Sequence, residues 1–387
     1  MINSFMNLLY DLTAVQPNPS GKVHGGGKYG LKLFIELAKN NNGRANVYAV
    51  YNSTEYLDQT IINSANNYNI TLIDIIGTNW GNITEKYSID RLYSALPENV
   101  VGMANLKCQI YGTIHGLREL ETRPDWHEFS YNRNIKAIAK VFIKLVFKDF
   151  FFKRKYKRYE SLFKRLRFFT VTNHSKYSLM VNFPDINEKD VQVYYAVDVT
   201  DLEETGDRNS DFNESDYFLM VSGNRWIKNN LRSAIALDQL FTERPHIKNK
   251  VVITGVSDKK IYLDRIKNKE RFIFYNYVDE GLLANMYKNA FAFLYMTLNE
   301  GFGYPPLEAM QFKTPVISSP YTSLTEVCNN AVLYADPYSV MEIKNRILQL
   351  FDSDVYSQLV ANGVKNYAYI KQIQDKHLYQ LINQLLT

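Results

Sequence analysis

The regular alternation of short apolar segments with amphipathic segments constrains the fold of this chain more than any other feature. Twelve apolar runs rich in Val, Ile, Phe and Tyr predict β-strands. They lie at 6–10, 47–51, 70–75, 109–114, 168–172, 191–195, 217–222, 251–256, 272–278, 290–296, 315–319 and 331–335. Amphipathic patterns between them, such as 29–40 and 281–290, predict helices. Strands that alternate with helices predict parallel sheets covered by helices on both faces.

A polar, acidic segment near the middle of the chain divides these elements into two sets of six strands. It lacks apolar periodicity, which is typical of a linker. A chain of 387 residues is also long for one core and suits two. We therefore predict an α/β protein with two Rossmann-like domains that face a central cleft. The domains would span 1–200 and 217–365, with a linker at 201–216 and a C-terminal helix at 366–387 that crosses back to the first domain.

The cysteine content and the hydropathy pattern limit where the protein can work. Cys108 and Cys328 are far apart and form no Cys-x-x-Cys motif, so we expect neither a disulfide framework nor a zinc site. The sequence contains no run of about 18 apolar residues, so no transmembrane helix is predicted. The first residues also lack the basic region of a secretion signal. These features favour a cytoplasmic protein.

The positive charge is concentrated in one segment. Residues 136–167 contain 12 Lys and Arg against two acidic residues, whereas the rest of the chain has 33 basic and 38 acidic residues. Lysines recur every four residues over 135–148, which predicts a core helix with a solvated lysine face. Over 150–167, aromatic residues adjoin a dense basic cluster. That pattern suits either a solvated face or the surface of an anionic membrane, while nothing else supports nucleic-acid binding.

The stretch NEGFGYPPLEAM, residues 299–310, is the most distinctive candidate site. Glu300 and Glu308 bracket a turn that contains Gly301, Gly303 and two prolines. The prolines favour a helix start, where free N–H groups can bind an anion. With Glu308 in the first helical turn, both carboxylates could face a ligand and accept hydrogen bonds from sugar hydroxyls. In the simpler alternative, Glu308 complements the helix dipole and Glu300 is a loop charge.

This stretch and the residues after it, QFKTPVISSPYTSLTEV, resemble the retaining, nucleotide-sugar-dependent glycosyltransferases of family 4, which have the two-domain GT-B fold. The segments FYNYVDEGLLANMYKNAFAFLYMTL and AVLYADPYS are also similar to that family. The resemblance is dense from 217 to 340. It implies that Glu300 contacts hydroxyls of the donor sugar and Glu308 contacts the nucleotide ribose. Backbone N–H groups around Gly301, Phe302 and Gly303 would help to hold the donor.

A second motif, VSGNRWIKNN, follows the first predicted strand of the second domain. A lysine at a strand–helix turn is a natural partner for a diphosphate, although an isolated surface lysine is usually solvated. The resemblance aligns Lys228 with the phosphate-binding lysine of the family. It also makes Arg225 a candidate donor contact, although the family usually has its arginine several residues before the lysine.

The first half of the chain contributes a glycine-rich motif, PSGKVHGGGKYG, after the first predicted strand. Glycines that enter a helix can cradle a phosphate, and the alternative is a flexible linker. The motif is similar to the glycine loop of the family. This similarity implies that Gly26 and Gly27 lie against the donor diphosphate, with Gly25 and Lys28 on the acceptor side.

The motif TIHGLRELE ends a predicted buried strand, and active sites lie at such strand ends in parallel sheets. It resembles a Thr-x-His motif of the family, in which His115 would hydrogen-bond the donor sugar. The family usually has Asp at the next position, where this chain has Gly116. A lone histidine is otherwise more often a structural group.

These motifs imply a metal-independent glycosyltransferase that moves a hexose or deoxyhexose from a nucleotide diphosphate donor to a hydroxyl, with retention. Glu300, His115 and Lys228 would form the catalytic set, and the acceptor would be a carbohydrate or a lipid-linked saccharide in bacterial surface polysaccharide or glycolipid assembly. We expect no cofactor and no divalent ion, because the candidate loops lack a metal-binding Asp-x-Asp pair. Such an enzyme would be cytoplasmic or peripheral on the inner face of the membrane. The alternatives are a catalytically silent GT-B subunit, which would bind nucleotide-sugar or a partner enzyme, and a nucleotide-sugar epimerase.

Overall fold

The computed structural model describes residues 5–17, 25–99, 105–132, 134–199 and 217–387, so the predicted linker at 201–216 lies outside the described residues. The chain divides into two compact units. Unit 1 consists of Met1–Leu117, Lys153–Val199 and Lys371–Thr387, and unit 2 consists of Arg118–Phe152 and Thr200–Ile370.

Unit 1 is built on a sheet of seven strands among the described residues, in the order β3-β2-β1-β4-β5-β6-β7. The strands are β1 (Met6–Asp11), β2 (Ala45–Tyr51), β3 (Thr71–Asp74), β4 (Arg91–Ser94), β5 (Gln109–Ile114), β6 (Leu166–Thr170) and β7 (Val191–Val193). Every pair of neighbours is parallel. The helices between them are α1 (Gly25–Asn40), α2 (Gln59–Asn67), α3 (Trp80–Lys86) and α7 (Asn173–Asn182), with short 3-10 helices at Pro97–Asn99 and Glu188–Asp190.

Unit 2 is built on a sheet of six described strands in the order β10-β9-β8-β11-β12-β13, also with parallel neighbours. The strands are β8 (Tyr217–Met220), β9 (Lys250–Thr254), β10 (Phe272–Tyr275), β11 (Ala292–Tyr295), β12 (Val316–Ser318) and β13 (Leu333–Tyr334). Its helices are α4 (Arg118–Glu121), α5 (Ile135–Val146), α8 (Asn230–Glu243), α9 (Lys260–Leu263), α10 (Glu280–Asn289), α11 (Tyr304–Gln311), α12 (Leu324–Cys328) and α13 (Val340–Gln349). Short 3-10 helices lie at Trp126–Tyr131, Trp226–Lys228 and Lys269–Arg271.

Two helices contribute to both units. The first is α6 (Lys148–Phe163) and the second is the 34-residue α14 (Ser353–Leu386). The C-terminal part of α14 packs within unit 1, where Gln374 donates a hydrogen bond to Ala196 O at 2.6 Å and Lys371 pairs with Asp198 at 3.0 Å.

The parallel α/β architecture predicted from the alternation of strands and helices is confirmed. All four residues of β8 and of β11 are buried, as expected for strands covered on both faces. One strand was not predicted. It is β4, whose four residues, RLYS, contain an arginine and a serine and so lack an apolar run.

The division between the units differs from the prediction, because residues 118–152 group with unit 2 instead of with the first domain. Specific contacts hold this segment. Arg232, on α8, makes two hydrogen bonds to the carboxylate of Asp125, at 2.7 and 2.9 Å, and both side chains are buried. The backbone N–H of Leu231 also donates to the Tyr131 hydroxyl at 3.1 Å. A bidentate ion pair shielded from water is geometrically specific, and it fastens this segment to α8.

The prediction of a core helix over 135–148 is wrong. Val141 is the one buried residue among those of α5. Lys144 lies on the packed side, where its Nζ contacts both carboxylate oxygens of Glu128 at 3.1 Å and lies 5.4 Å from the centre of the Trp226 ring. The packed side of α5 is therefore partly polar, and its apolar side faces outward.

The Asp125–Arg232 pair gives a test of how unit 2 holds this segment. We expect Asp125→Asn to lower the free energy of unfolding by about 3–5 kcal/mol, because it leaves the Arg232 charge buried without a counter-charge. The double variant D125L/R232M should recover most of that loss, since it buries no charge. Urea denaturation followed by circular dichroism measures both effects. A loss below about 1 kcal/mol in D125N would show that the pair does not anchor the segment.

Candidate active site

The candidate site in unit 2 forms where two neighbouring strands end. β8 and β11 lie side by side in the sheet, and the chain runs outward in opposite directions on the two sides of this position. Ligands in open parallel sheets bind at such a switch point, beyond the carboxyl ends of the strands. The loop after β11 is joined to the turn after β8, since Leu298 N donates to Ile227 O at 2.8 Å. The residues that follow both strands are therefore held in one place.

Lys228 and Glu300, two of the predicted catalytic residues, meet at this position. Lys228 Nζ lies 2.6 Å from Glu300 Oε1 and 2.6 Å from the Tyr295 hydroxyl oxygen. Both charged side chains are buried, and Glu300 Oε1 also accepts a hydrogen bond from Thr297 Oγ1 at 2.8 Å. The Glu300 backbone N–H donates to Thr322 Oγ1 at 3.0 Å, which fixes the loop itself. The pair is thus completed by hydrogen bonds, as buried charges require.

Glu308 lies in α11, but not in the first turn of that helix as predicted. The helix begins at Tyr304 because Gly303, with φ 109°, adopts a conformation that favours glycine, so Glu308 is the fifth helical residue. Its Oε2 accepts a hydrogen bond from the Tyr287 hydroxyl at 2.8 Å. Complementing the helix dipole therefore explains Glu308 poorly, since that effect is confined to the first turn.

One serine side chain stabilises the turn between the two glutamates through hydrogen bonds to its backbone. Ser323 Oγ contacts the backbone oxygens of Glu300 and Phe302, at 3.1 and 2.9 Å. Phe302 and Gly303 are buried, whereas Gly301 is partly exposed. A Cβ atom on Gly303 would collide with Leu324, so both packing and φ require glycine there.

The predicted residues of the first half lie in unit 1. Gly25, Gly26, Gly27 and Lys28 form the first turn of α1, not a loop before it, and 18–24 lie outside the described residues. His115 follows β5, and its Nε2 donates to Ala95 O at 3.0 Å. Its ring also contacts the ring of Tyr29, the residue after Lys28, at a centroid distance of 4.8 Å. Within unit 1 the structure therefore brings His115 next to the start of α1.

The family comparison agrees with this arrangement of unit 2. The family described as glycosyl transferases group 1 matches residues 203–370, a range that contains Arg225, Lys228, Glu300 and Glu308. Over this range the chain is similar to the group 1 glycosyl transferases. The curated relative O-antigen chain mannosyltransferase RfbU of Salmonella typhimurium is 28% identical over 241 residues. That alignment covers 61% of this chain and 62% of the relative, so the chain matches less than two thirds of the relative's length.

Solved structures are similar in fold to nearly the full length of this chain. A glycosyltransferase from Rickettsia africae is 15% identical, with a TM-score of 0.65 and coverage of 99% of each chain. Anabaena Alr3699/HepE, in a crystal with UDP-glucose, is 13% identical, with a TM-score of 0.62 and coverage of 97% of this chain and 99% of that one. These likenesses show the GT-B fold. The assignment to family 4 stays a prediction.

The electrostatics of the candidate site keep Glu300 ionised. Burial raises the pKa of this carboxyl, but the positive charges of Lys228 and Arg118 outweigh burial and lower it to about 2. Burial lowers the pKa of Lys228, with the Glu300 charge opposing that shift. Burial also raises the pKa of Tyr295 well above its ordinary value, and the charges of Glu300 and Glu308 add to this effect. Both carboxylates of the motif therefore act on the same buried hydroxyl.

Three contributors to the site were missed by the sequence reasoning. Tyr295 and Thr297 contact the Lys228–Glu300 pair directly, and Arg118 places Nη2 3.9 Å from Glu300 Oε2. The position of Tyr295 at the carboxyl end of a predicted strand was the available signal for it. No local signal pointed to Arg118, because its partner lies far along the chain. Arg225, which was predicted, is exposed, and its charge lowers the pKa of Lys228.

The chain contains one Asp-x-Asp triplet outside the candidate loops, at Asp352–Asp354. It lies where α14 begins, and Asp352 Oδ1 accepts the backbone N–H groups of Asp354 and Val355, at 2.9 and 3.3 Å. This carboxylate caps a helix, which accounts for the motif without a metal ion.

The pKa of Glu300 gives a pH-dependent test of the buried pair. Because the folded-state value of about 2 lies below the ordinary 4.5, the stabilisation is complete above about pH 4.5 and is lost as the pH falls towards 2. We expect Glu300→Gln to cost on the order of 3 kcal/mol of unfolding free energy at pH 7 and less than half of that at pH 3. Urea denaturation at the two pH values measures the difference, with Glu270→Gln, an exposed carboxylate of unit 2, as the control. A cost that is equal at both pH values would contradict the ionised pair.

Proposed function

We propose that this protein is a retaining glycosyltransferase. It would transfer a sugar from a nucleotide diphosphate-sugar donor to a hydroxyl group of a carbohydrate or lipid-linked saccharide during surface polysaccharide assembly. The observation that carries the proposal is the buried Lys228–Glu300 pair at the carboxyl ends of β8 and β11. The Lys228 ammonium is shielded from water and lies where parallel sheets bind ligands. It can therefore stabilise the negative charge that develops on a departing diphosphate.

The chemistry follows from the charge states of this pair. When the bond between the sugar and the diphosphate breaks, negative charge grows on the departing phosphate oxygen. Lys228 stabilises that charge, and the exposed Arg225 can add a second positive charge. Glu300 has a pKa of about 2, so at neutral pH it cannot donate a proton. Its ionised oxygens can instead accept hydrogen bonds from sugar hydroxyls and orient the ring. The departing phosphate oxygen then takes the proton of the acceptor hydroxyl.

The relatives favour a hexose as the transferred sugar. RfbU is named as an O-antigen chain mannosyltransferase, and HepE was crystallised with UDP-glucose. A nucleotide diphosphate-hexose would place its ribose hydroxyls towards Glu308 and its diphosphate towards Lys228. GDP-mannose and UDP-glucose are therefore the first two donors to test.

Variants of the buried pair test the proposal. We expect Glu300→Ala and Lys228→Ala each to reduce transfer by roughly a hundredfold or more, since they remove interactions with the reacting sugar and the leaving group. Glu308→Ala should mainly raise the KM for the donor. The measurement is release of nucleoside diphosphate from donor sugars, with and without saccharide acceptors. Glu270→Ala serves as the matched control.

The result also separates the alternatives. If the wild type binds nucleotide-sugar but no donor and acceptor panel gives turnover, the protein is a catalytically silent subunit and the proposed activity is wrong. If the protein inverts one carbon of the donor sugar while the sugar stays attached to the nucleotide, the protein is an epimerase.

We further propose that the protein works at an anionic membrane surface, and the outward side of α5 is the structural support. Ile135, Ile138, Phe142 and Val146 form one stripe at helical spacing, and they are 82%, 38%, 54% and 56% exposed. Monomeric proteins rarely leave so many large apolar side chains on one helix in water. Within the described residues, no helix carries a long enough apolar stretch to cross a bilayer.

The basic residues around the stripe support a lipid surface as the partner. Lys136 and Lys140 are exposed beside it on α5. Each such charge contributes about 1 kcal/mol near anionic lipid. The sequence predicted a membrane contact over 150–167, and we propose α5 as the contact instead. In unit 1, the ring of Tyr156 stacks on Phe183 at a centroid distance of 4.7 Å, and Arg158 donates to Glu98 O at 2.6 Å.

Vesicle sedimentation tests this second part of the proposal. The wild type should bind phosphatidylglycerol-rich vesicles and not vesicles of phosphatidylcholine alone. The double variant I138S/F142S should bind at least about tenfold more weakly, because each apolar side chain contributes roughly 1.5–3 kcal/mol when it leaves water. Val181→Ser, which changes an exposed apolar residue of unit 1, is the control. Equal binding of I138S/F142S and the wild type would exclude α5 as the contact.

A further inference from the structure

The segment that follows β5 and His115 reaches the loop that contains Asn299 and Glu300. Leu117 is the last residue of unit 1 in this segment, and Arg118 begins the part that belongs to unit 2. The Glu121 carboxylate of α4 accepts a hydrogen bond at 2.8 Å from Asn299 Nδ2, and Asn299 immediately precedes Glu300. The Asp125–Arg232 ion pair fastens the same segment a few residues later. The backbone at Arg118 is therefore positioned by contacts of the residues that follow it in the sequence.

The guanidinium of Arg118 is only loosely engaged. Its Nη2 lies 3.9 Å from Glu300 Oε2, which is longer than a hydrogen bond, while Lys228 occupies the other carboxylate oxygen at 2.6 Å. The Nε atom of Arg118 is buried without a hydrogen-bond partner among the described residues. The side chain is 42% exposed. A guanidinium has five N–H donors, so this one keeps unused hydrogen-bonding capacity beside Glu300.

The charges around Glu300 do not balance. Three positive side chains, Arg118, Lys228 and Arg225, act on the site, whereas Lys228 already neutralises the one carboxylate that it contacts. The Glu308 carboxylate also acts on the Tyr295 hydroxyl of this site, so one net positive charge remains for a ligand. A diphosphate ester carries about two negative charges at neutral pH, and a guanidinium fork matches the geometry of phosphate oxygens.

We propose that Arg118 binds the diphosphate of the donor, together with Lys228 and Arg225. The inference rests on the proposed function, and it assigns to a residue from the first half of the sequence a direct contact with the substrate bound in unit 2. The alternative role is that of a purely structural ion-pair partner of Glu300, which the 3.9 Å separation also allows.

Binding of nucleotides alone tests the proposal without depending on turnover. Isothermal titration calorimetry would compare UDP and GDP with UMP and GMP on the wild type, Arg118→Gln, Arg118→Lys and Lys228→Ala. We expect R118Q to weaken diphosphate binding at least tenfold and monophosphate binding much less. R118K should fall between R118Q and the wild type, because it keeps the charge but loses the fork. Arg123→Gln, an exposed arginine on the same segment, should leave both affinities unchanged.

The outcomes separate this inference from the proposed function. If R118Q binds UDP and GDP within twofold of the wild type while K228A loses them, Arg118 is not a diphosphate ligand, and the glycosyltransferase proposal stands. If R118Q loses monophosphate and diphosphate affinity equally, its role is structural and the inference is wrong. If the wild type binds neither nucleotides nor nucleotide-sugars, the proposed function itself fails. Thermal melting of each variant confirms that the compared proteins are folded.

Discussion

The desolvated ion pair between Lys228 and Glu300 is the interaction on which the candidate site of unit 2 depends. Two charges removed from water are costly unless hydrogen bonds replace hydration. Tyr295, Thr297 and the joined backbones after β8 and β11 supply that replacement. Hydrophobic residues of similar size would hold the fold as well or better. The presence of two charged groups at a ligand-binding position is therefore better explained by interactions with a ligand than by their contribution to stability.

The topology explains why these charges lie where they do. In each sheet the strand order reverses direction beside the first strand of the unit, next to β1 in unit 1 and next to β8 in unit 2. The loops on the two sides of such a reversal diverge and leave a crevice. The motifs on both units follow strands at or beside that point. The glycine turn of α1 follows β1, His115 follows β5, and Lys228 and Glu300 follow β8 and β11.

Local patterns were enough to predict the strands, because a buried parallel strand is an apolar run that can be recognised without knowing its neighbours. They failed for β4, which has no such run, and for α5, where the orientation of the helix is set by distant partners. The Lys144 ammonium pairs with the Glu128 carboxylate and lies near the ring of Trp226, although its side chain is about half exposed. The resemblance located Glu300, Glu308 and Lys228. Arg118 could not be found in this way, since the contact between Asn299 and Glu121 that places it joins residues 178 positions apart.

The insertion between β5 and β6 links two properties that the sequence presents separately. Arg118 lies beside Glu300 near its start, the buried Asp125 follows, and the exposed apolar stripe of α5 comes before α6. The Asp125–Arg232 pair and the Tyr131 contact form a clasp between the middle of this insertion and α8. A surface that engages α5 would therefore act on the element that carries Arg118. If both proposals hold, membrane contact and donor binding are coupled through this clasp, with no need for a separate signal.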